Sequence, residues 1–397
     1  MIDGKVQRAV RAGLTVLAGI FPLACTTLPA AQTVDQPALC EDASYRIYAD
    51  FPGAGQHRCL VVGEGEFLLR VDPELIVTPP INPSPWFAFD IQSRAPGAVS
   101  VTLDYGGYRH RYEPKWQRPG EEGWAVLDAD AIEVLDEGHR VRLDLDLPAG
   151  RTRIAAQPLR TPFAVATWMQ HFANAHDAQM LRYGASRNAR PLDALVLGPQ
   201  DASRVVIALT RQHPPERSGG DAFEGFAERV AGLQEAGALD GVRVLLLPLV
   251  NPDGLAGGYW RLGAGGVDLN RDWFTAHEPE IAAAQALIRR EAGGRQVLAF
   301  LDFHSTRRTL VYNPPAGTAA QGDALMAELA RRLADELDPD PDWIEGHNAD
   351  TGTSKAWALE AFDFAGLTVE VADEASPDAA RHIGAVVADA VAAVAHN

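Results

Sequence analysis

The pattern of apolar residues changes character once along this 397-residue chain, between residues 156 and 161, and that change limits the architecture more than any other feature. Before it, apolar and polar residues alternate in short runs: Tyr45-Arg46-Ile47-Tyr48, Phe67-Leu68-Leu69-Arg70-Val71, Val99-Ser100-Val101-Thr102-Leu103 and, most regularly, Val141-Arg142-Leu143-Asp144-Leu145-Asp146-Leu147. A period of two puts every second side chain on one face of a strand, and Pro52-Gly53, Gly63-Glu64-Gly65, Pro119-Gly120 and Pro148-Ala149-Gly150 between the runs are turn sequences. An antiparallel β-sandwich over 40–156 is predicted. After the change, wholly apolar runs alternate with amphipathic ones. Residues 191–197, 205–210, 242–250, 297–303 and 367–371 read as strands, and 223–236, 279–292, 319–337 and 377–395 as helices. Strands apolar on both sides and interleaved with helices define an α/β sheet covered on both faces, here over 157–397.

The ends and the composition narrow the setting. At 47% hydrophobic and 22% charged, the chain has apolar material for two cores, and no disordered or fibrous class fits. A formal net charge of −18 and a pI of about 5.0 argue against a non-specific binder of nucleic acid or anionic membrane. Lys5, Arg8 and Arg11 precede an apolar run at 12–24 that is too short to span a bilayer and right for a signal-peptide core. Residues 1–25 are therefore expected to direct export, to the periplasm or the outer membrane of a bacterium, with the small, proline-bearing 26–39 as a linker. Leu23-Ala24-Cys25-Thr26 resembles a bacterial lipoprotein processing site, with Pro22 where an aliphatic residue usually stands. Membrane attachment through a lipidated Cys25 and ordinary cleavage near Ala30 or Ala31 both stay open. The other cysteines, Cys40 and Cys59, are either a bridge permitted by an oxidising compartment or two free thiols.

The chemistry-bearing residues cluster around the α/β strands. The strand at 205–210 runs into Arg211-Gln212-His213-Pro214-Pro215-Glu216, which sets an imidazole and a carboxylate three residues apart at a strand mouth. Hydrolytic zinc sites use three nitrogen or oxygen ligands plus an open position, and a His-x-x-Glu turn can supply two of them. Two solvated loop residues satisfy the same spacing. Downstream come Asn251-Pro252-Asp253-Gly254, Arg261, Asp268-Leu269-Asn270-Arg271, the strand ending Asp302-Phe303-His304-Ser305, and Glu370 within Leu367-Thr368-Val369-Glu370-Val371. A carboxylate among such neighbours is costly to bury without a task or a partner. An outward-facing glutamate on an edge strand, and a satisfied core histidine at His304, fit the pattern as well.

This ensemble resembles the zinc metallocarboxypeptidases, and its spacing around NPDG, Arg261 and DLNR is most similar to their cytosolic-carboxypeptidase (deglutamylase) branch. The resemblance implies a leading sandwich, with Ser84-Pro85-Trp86-Phe87-Ala88-Phe89 similar to the Trp-Phe-Phe strand of that domain, and then a catalytic α/β domain with a mixed central sheet. Gly184-Ala185-Ser186-Arg187-Asn188-Ala189-Arg190 is similar to the family's entry into that domain, with Ala189 replacing a glycine. It also implies one Zn²⁺ held by His213, Glu216 and His304, with Asp268 accepting a hydrogen bond from His213. Glu370 would be the general base toward a water activated by the metal, Arg261 would stabilise the oxyanion, and Asn270 and Arg271 would hold the substrate's terminal carboxylate. Asp373 and Glu374 are alternative carboxylates, but they lie past the apolar run and are expected in solvent.

Lys355, in Gly352-Thr353-Ser354-Lys355-Ala356-Trp357, falls on the family segment that lines the pocket for the terminal side chain, where a lysine implies preference for C-terminal Glu or Asp. Lys5, Lys115 and Lys355 are the only lysines in a chain that otherwise uses arginine. A solvated lysine at a helix start is the plain alternative. Where pancreatic-type members carry a mobile tyrosine, Asn348 stands beside His347; His347 or Tyr312 as a substitute donor, and no such donor at all, both stay open. Nothing polar in the sandwich forms a recognisable site. The expectation is an exported zinc metallocarboxypeptidase acting on peptides with a free C-terminal carboxylate. Competing readings are a murein-peptide amidase or an N-acyl-amino-acid deacylase of the same superfamily, and a non-catalytic lipoprotein that binds peptides or glycans.

Overall fold

The computed structural model describes residues 37–75, 84–319 and 321–395; the expected export signal, Cys25 and most of the linker lie outside them. Residues Pro37–Asn397 form one compact unit. Among the described residues its first half has eleven strands, β1 (Cys40–Glu41), β2 (Tyr45–Tyr48), β3 (Gln56–Gly63), β4 (Glu66–Asp72), β5 (Ala88–Ser93), β6 (Gly97–Asp104), β7 (Lys115–Gln117), β8 (Ala125–Val126), β9 (Ile132–Leu135), β10 (Arg140–Leu147) and β11 (Gly150–Ala155). They form two sheets, in the orders β1-β2-β5-β11-β7-β8 and β3-β4-β6-β10-β9. The alternation in β10 behaves as expected: Val141, Leu143, Leu145 and Leu147 are buried while the polar residues between them are exposed. All pairings are antiparallel except β4 with β6, which run parallel. That one pair departs from the antiparallel expectation, because the chain leaves β4, adds β5 to the other sheet and returns as β6. Cys40 on β1 and Cys59 on β3 are disulfide-bonded, tying an edge of one sheet to an edge of the other.

The second half runs α1 (Pro162–His176), β12 (Gln179–Ala185), β13 (Pro191–Leu197), β14 (Arg204–Thr210), α2 (Arg217–Glu235), β15 (Val242–Leu247), α3 (Pro252–Gly257), α4 (Pro279–Ala292), β16 (Gln296–Thr306), β17 (Leu310–Asn313), α5 (Asp323–Glu336), β18 (Asp342–Glu345), α6 (Ser354–Phe362), β19 (Leu367–Ala372) and α7 (Pro377–Ala395). One mixed sheet has the order β12-β13-β15-β14-β16-β19-β17-β18. Its centre, β15-β14-β16-β19, is parallel, and antiparallel pairs flank it. The parallel strands are apolar throughout because helices cover both faces, and Phe223, Phe226, Trp273, Phe300 and Phe303 fill the core. In such sheets ligands gather at the carboxyl ends of the strands, and the exits of β14, β16 and β19 all carry polar residues here.

Candidate metal and substrate site

The loop after β14 is shaped by two backbone features. Arg211 takes a left-handed conformation, φ 57°, which costs a non-glycine residue roughly 1–2 kcal/mol. Its buried guanidinium offsets this by donating to Glu224 (3.2 Å) and to the Pro248 carbonyl (3.2 Å). The turn sends His213 inward, and Glu216 follows as the residue capping the start of α2. That helix passes so close to β16 that a Cβ on Gly219 would lie 2.4 Å from the His304 carbonyl oxygen, so only glycine fits.

His213, Glu216 and His304 converge, with one ligand atom from each within 4.8 Å of the others. His213 Nδ1 lies 2.8 Å from Glu216 Oε1, and His304 Nδ1 lies 2.6 Å from Glu216 Oε2. The outer nitrogens meet carboxylates, His213 Nε2 at 3.0 Å from Asp268 and His304 Nε2 at 2.9 Å from Asp302. An imidazole that donates outward through Nε2 turns its Nδ1 lone pair inward, so two nitrogens and one carboxylate face a common point. This donor set fits a borderline cation such as Zn²⁺. Burial works against charge throughout this cluster. Even so, the two imidazoles hold the Glu216 carboxyl well below its usual range, and Asp302 with Glu216 hold His304 well above the usual imidazole value.

Asp302 was not singled out from the sequence, although the signal was present. Two residues before His304 on one strand, it shares that histidine's face. Gln212 Nε2 (2.6 Å) and Ser354 Oγ complete its contacts. Asp268 does for His213 what was expected, and also accepts from Arg261 Nε at 2.7 Å and from the Asn270 amide at 2.9 Å. The Asn251-Pro252-Asp253-Gly254 turn is structural. Asn251 caps α3 and donates to the Gln212 and Leu262 carbonyls, joining the His213 loop to the Arg261 loop. Asp253 gathers Ser186, Asn188 and Arg190 from the turn before β13, in which Ala189 has φ 61°.

One cleft is lined by His213, Glu216, His304, Glu370, Arg261, Asn270, Arg271 and Lys355 together. Glu370 is the register partner of His304 across β16 and β19, and its Oε2 is buried without a hydrogen-bond partner. Burial, and then the neighbouring Glu216 carboxylate, push its pKa up to about 7. Lys355, at the start of α6, is buried rather than solvated, and donates to the His347 carbonyl. Burial and then Arg271 bring its pKa down to about 8. Asn270 accepts from the Ser354 amide (3.0 Å), and Arg271 donates to the Asn270 carbonyl (2.7 Å). Tyr312 and His347 stack at 4.3 Å in the cleft wall beside Asn348, so both candidate donors border the site.

Two expectations are corrected. Asp373 is not in solvent but buried against Arg111 (2.8 and 3.0 Å), whereas Glu374 is exposed as expected and accepts from Lys115 at 2.5 Å. The sandwich is not free of site residues either, since Arg111 itself lines the cleft. No local pattern marks that arginine, because its partner is 262 positions away.

Fold and site together define the class of the metallocarboxypeptidases. The structure superposes on the metallo-carboxypeptidase from Burkholderia cenocepacia with a TM-score of 0.71 at 18% identity, covering 89% of this chain and 98% of that one. The metallo-carboxypeptidase from Pseudomonas aeruginosa, in complex with (2-guanidinoethylmercapto)succinic acid, gives 0.71 at 20%, covering 88% and 98%. Residues 165–389 match the Peptidase_M14 family model, zinc carboxypeptidase, and the chain belongs to that family. Cytosolic carboxypeptidase 2 of Danio rerio is 31% identical over 117 residues, 28% of this chain and 16% of that protein. Cytosolic carboxypeptidase-like protein 5 of Homo sapiens is 26% identical over 160 residues, 39% of this chain and 17% of that protein. The matched part is thus under a fifth of these curated relatives' length.

Proposed function

We propose that this chain is an exported zinc carboxypeptidase that removes C-terminal residues from peptides, acidic ones in preference. The observation that carries the reading is that a single cleft gathers a His-Glu-His cation cradle, a carboxylate with one buried and unpartnered oxygen, and four cationic side chains. His213, Glu216 and His304 would hold one Zn²⁺, which when bound polarises the scissile carbonyl and acidifies water. Arg271 and Asn270 bind the substrate's terminal carboxylate, a planar guanidinium fork matching its two oxygens. Arg261 has Nε engaged by Asp268, which leaves its Nη atoms to meet the negative charge developing on the carbonyl oxygen. Glu370 accepts a proton from the attacking water and passes it to the departing amine; burial, which raises its pKa, suits a carboxylate that must both take up and release a proton. Lys355, with Arg271 beside it, favours a negatively charged terminal side chain. The Cys40–Cys59 bridge supports an oxidising compartment, and with it export; a lipid anchor on Cys25 belongs to the same proposal.

The test is hydrolysis of N-blocked dipeptides differing only in their last residue, run beside a zinc determination. Release of free Glu or Asp, abolished by a chelator and restored by Zn²⁺, is expected. Cleavage confined to diaminopimelate-containing fragments would make the chain a murein-peptide amidase. Chelator-insensitive binding without hydrolysis would leave only the non-catalytic reading.

A further inference from the structure

The segment that presents Arg261 is held by the sandwich as well as by its own half of the chain. The Glu74 carboxylate, two residues beyond β4, accepts three successive backbone amides: Trp260 at 2.7 Å through Oε2, and Arg261 at 2.9 Å and Leu262 at 2.5 Å through Oε1. The Trp260 side chain is buried in the sandwich core, edge-on to Tyr108 at 4.9 Å. One turn earlier the backbones touch: the Gly53 amide donates to the Ala256 carbonyl (2.8 Å), and a Cβ on Gly258 would lie 2.2 Å from the Gly55 nitrogen. Three amides converging on one carboxylate fix the φ and ψ of the residue between them, and so the direction in which Arg261 leaves the chain. Its far end is fixed separately by Asp268.

We propose that Glu74 is a positioning residue of the peptidase site, supplied by the sandwich, and that it acts through Arg261 by clamping the backbone of residues 260–262. The sandwich is then a working wall of the cleft. A guanidinium that stabilises charge only in the transition state must be aimed before the reaction begins, and a misplacement of about 1 Å can cost on the order of 100-fold in rate. A carboxylate with two acceptor oxygens suits three amides. A glutamine retains one such oxygen and presents an NH₂ in place of the other, which faces a donor and repels it.

This inference rests on the role proposed above for Arg261, and the test separates the two. Glu74→Gln and Arg261→Gln are made singly and together in the full chain, with melting temperatures recorded and amide exchange followed over 256–264. Exchange at 260–262 should accelerate at least tenfold in Glu74→Gln while the rest of the sheet keeps its protection. Its kcat on the best dipeptide should fall about tenfold with KM within about twofold, in keeping with the loss of a supporting residue outside the reacting shell. In the Arg261→Gln background, Glu74→Gln should change kcat by less than about twofold. Equal losses in both backgrounds, or unaltered exchange at 260–262, overturns the inference. A fully active Arg261→Gln enzyme overturns the proposed role of Arg261 first, and the inference with it. Should Glu74→Gln melt early, Glu74→Asp supplies the same cycle with the charge kept, and the same non-additivity is required of it.

Discussion

Glu370 and His304 are direct neighbours across the parallel pair β16–β19, one register step apart from Ser305 opposite Val371. The sheet ladder itself therefore sets the distance between the proposed base and a proposed cation ligand, with no loop intervening. Replacing Glu370 by Gln keeps the shape and the ladder but removes the proton acceptor. Glu370→Gln should lose about 10²–10⁴-fold in kcat while retaining one equivalent of zinc, measured by steady-state kinetics and metal analysis. Wild-type turnover by this variant would move the base elsewhere, and the paired Asp373 is poorly suited to take the role.

In the proposed pocket, Lys355 would tie substrate choice to pH. With its pKa near 8, the ammonium is present below that value and is lost as the pH rises through it. If an acidic terminal side chain meets the charged form as proposed, KM for a Glu-terminal dipeptide should climb above pH 8, while KM for a Leu-terminal one stays level over the same range. Lys355→Asp should reverse the order of preference toward terminal Lys or Arg. A pH-independent KM ratio for the two substrates would remove Lys355 from the pocket.

Asp302 fixes the ring of His304 from behind, as Asp268 does for His213. Asp302→Asn should lower zinc affinity by about 10–100-fold, read by competition with a chromogenic chelator. The same titration taken to lower pH should release zinc progressively, because protons compete for both Nδ1 positions. Undiminished affinity in the variant would mean that Gln212 and Asn270, which lie 3.5 and 3.2 Å from His304 Nε2, orient the ring without it.

The Cys40–Cys59 bridge closes a loop with a sequence separation of 19. A loop of that length constrains the unfolded chain by about 3 kcal/mol, so reduction or Cys59→Ser should lower the unfolding free energy of the sandwich by roughly that amount. Denaturant curves with and without reductant measure it, and coincident midpoints would contradict the assignment.

The sequence carried the fold unevenly, and the reasons are physical. Helices α4 and α7 were bounded correctly by proline at their starts and by their apolar faces. Strand β12 has no clear apolar rhythm, since an edge strand buries little of its length, whereas helix α1 does carry one in Val165, Met169, Phe172 and Ala173. The cradle residues were legible because His213 and Glu216 are local to one turn, and His304 and Glu370 end or interrupt apolar strands. Asp302 was legible in principle through its shared face with His304. Arg111 and Glu74 were not, because each acquires meaning only from a partner far along the chain.

Strand β19 is the last strand in the sequence, yet it enters the sheet between β16 and β17, both of which precede it. The cation ligands come from β16 and from the exit of β14, strands that pair with each other without β19. The proposed cation grip thus needs only strands that pair with each other, whereas the proposed base is brought in by a strand inserted from later in the sequence. Holding a cation and cutting a peptide would therefore draw on separable parts of one sheet.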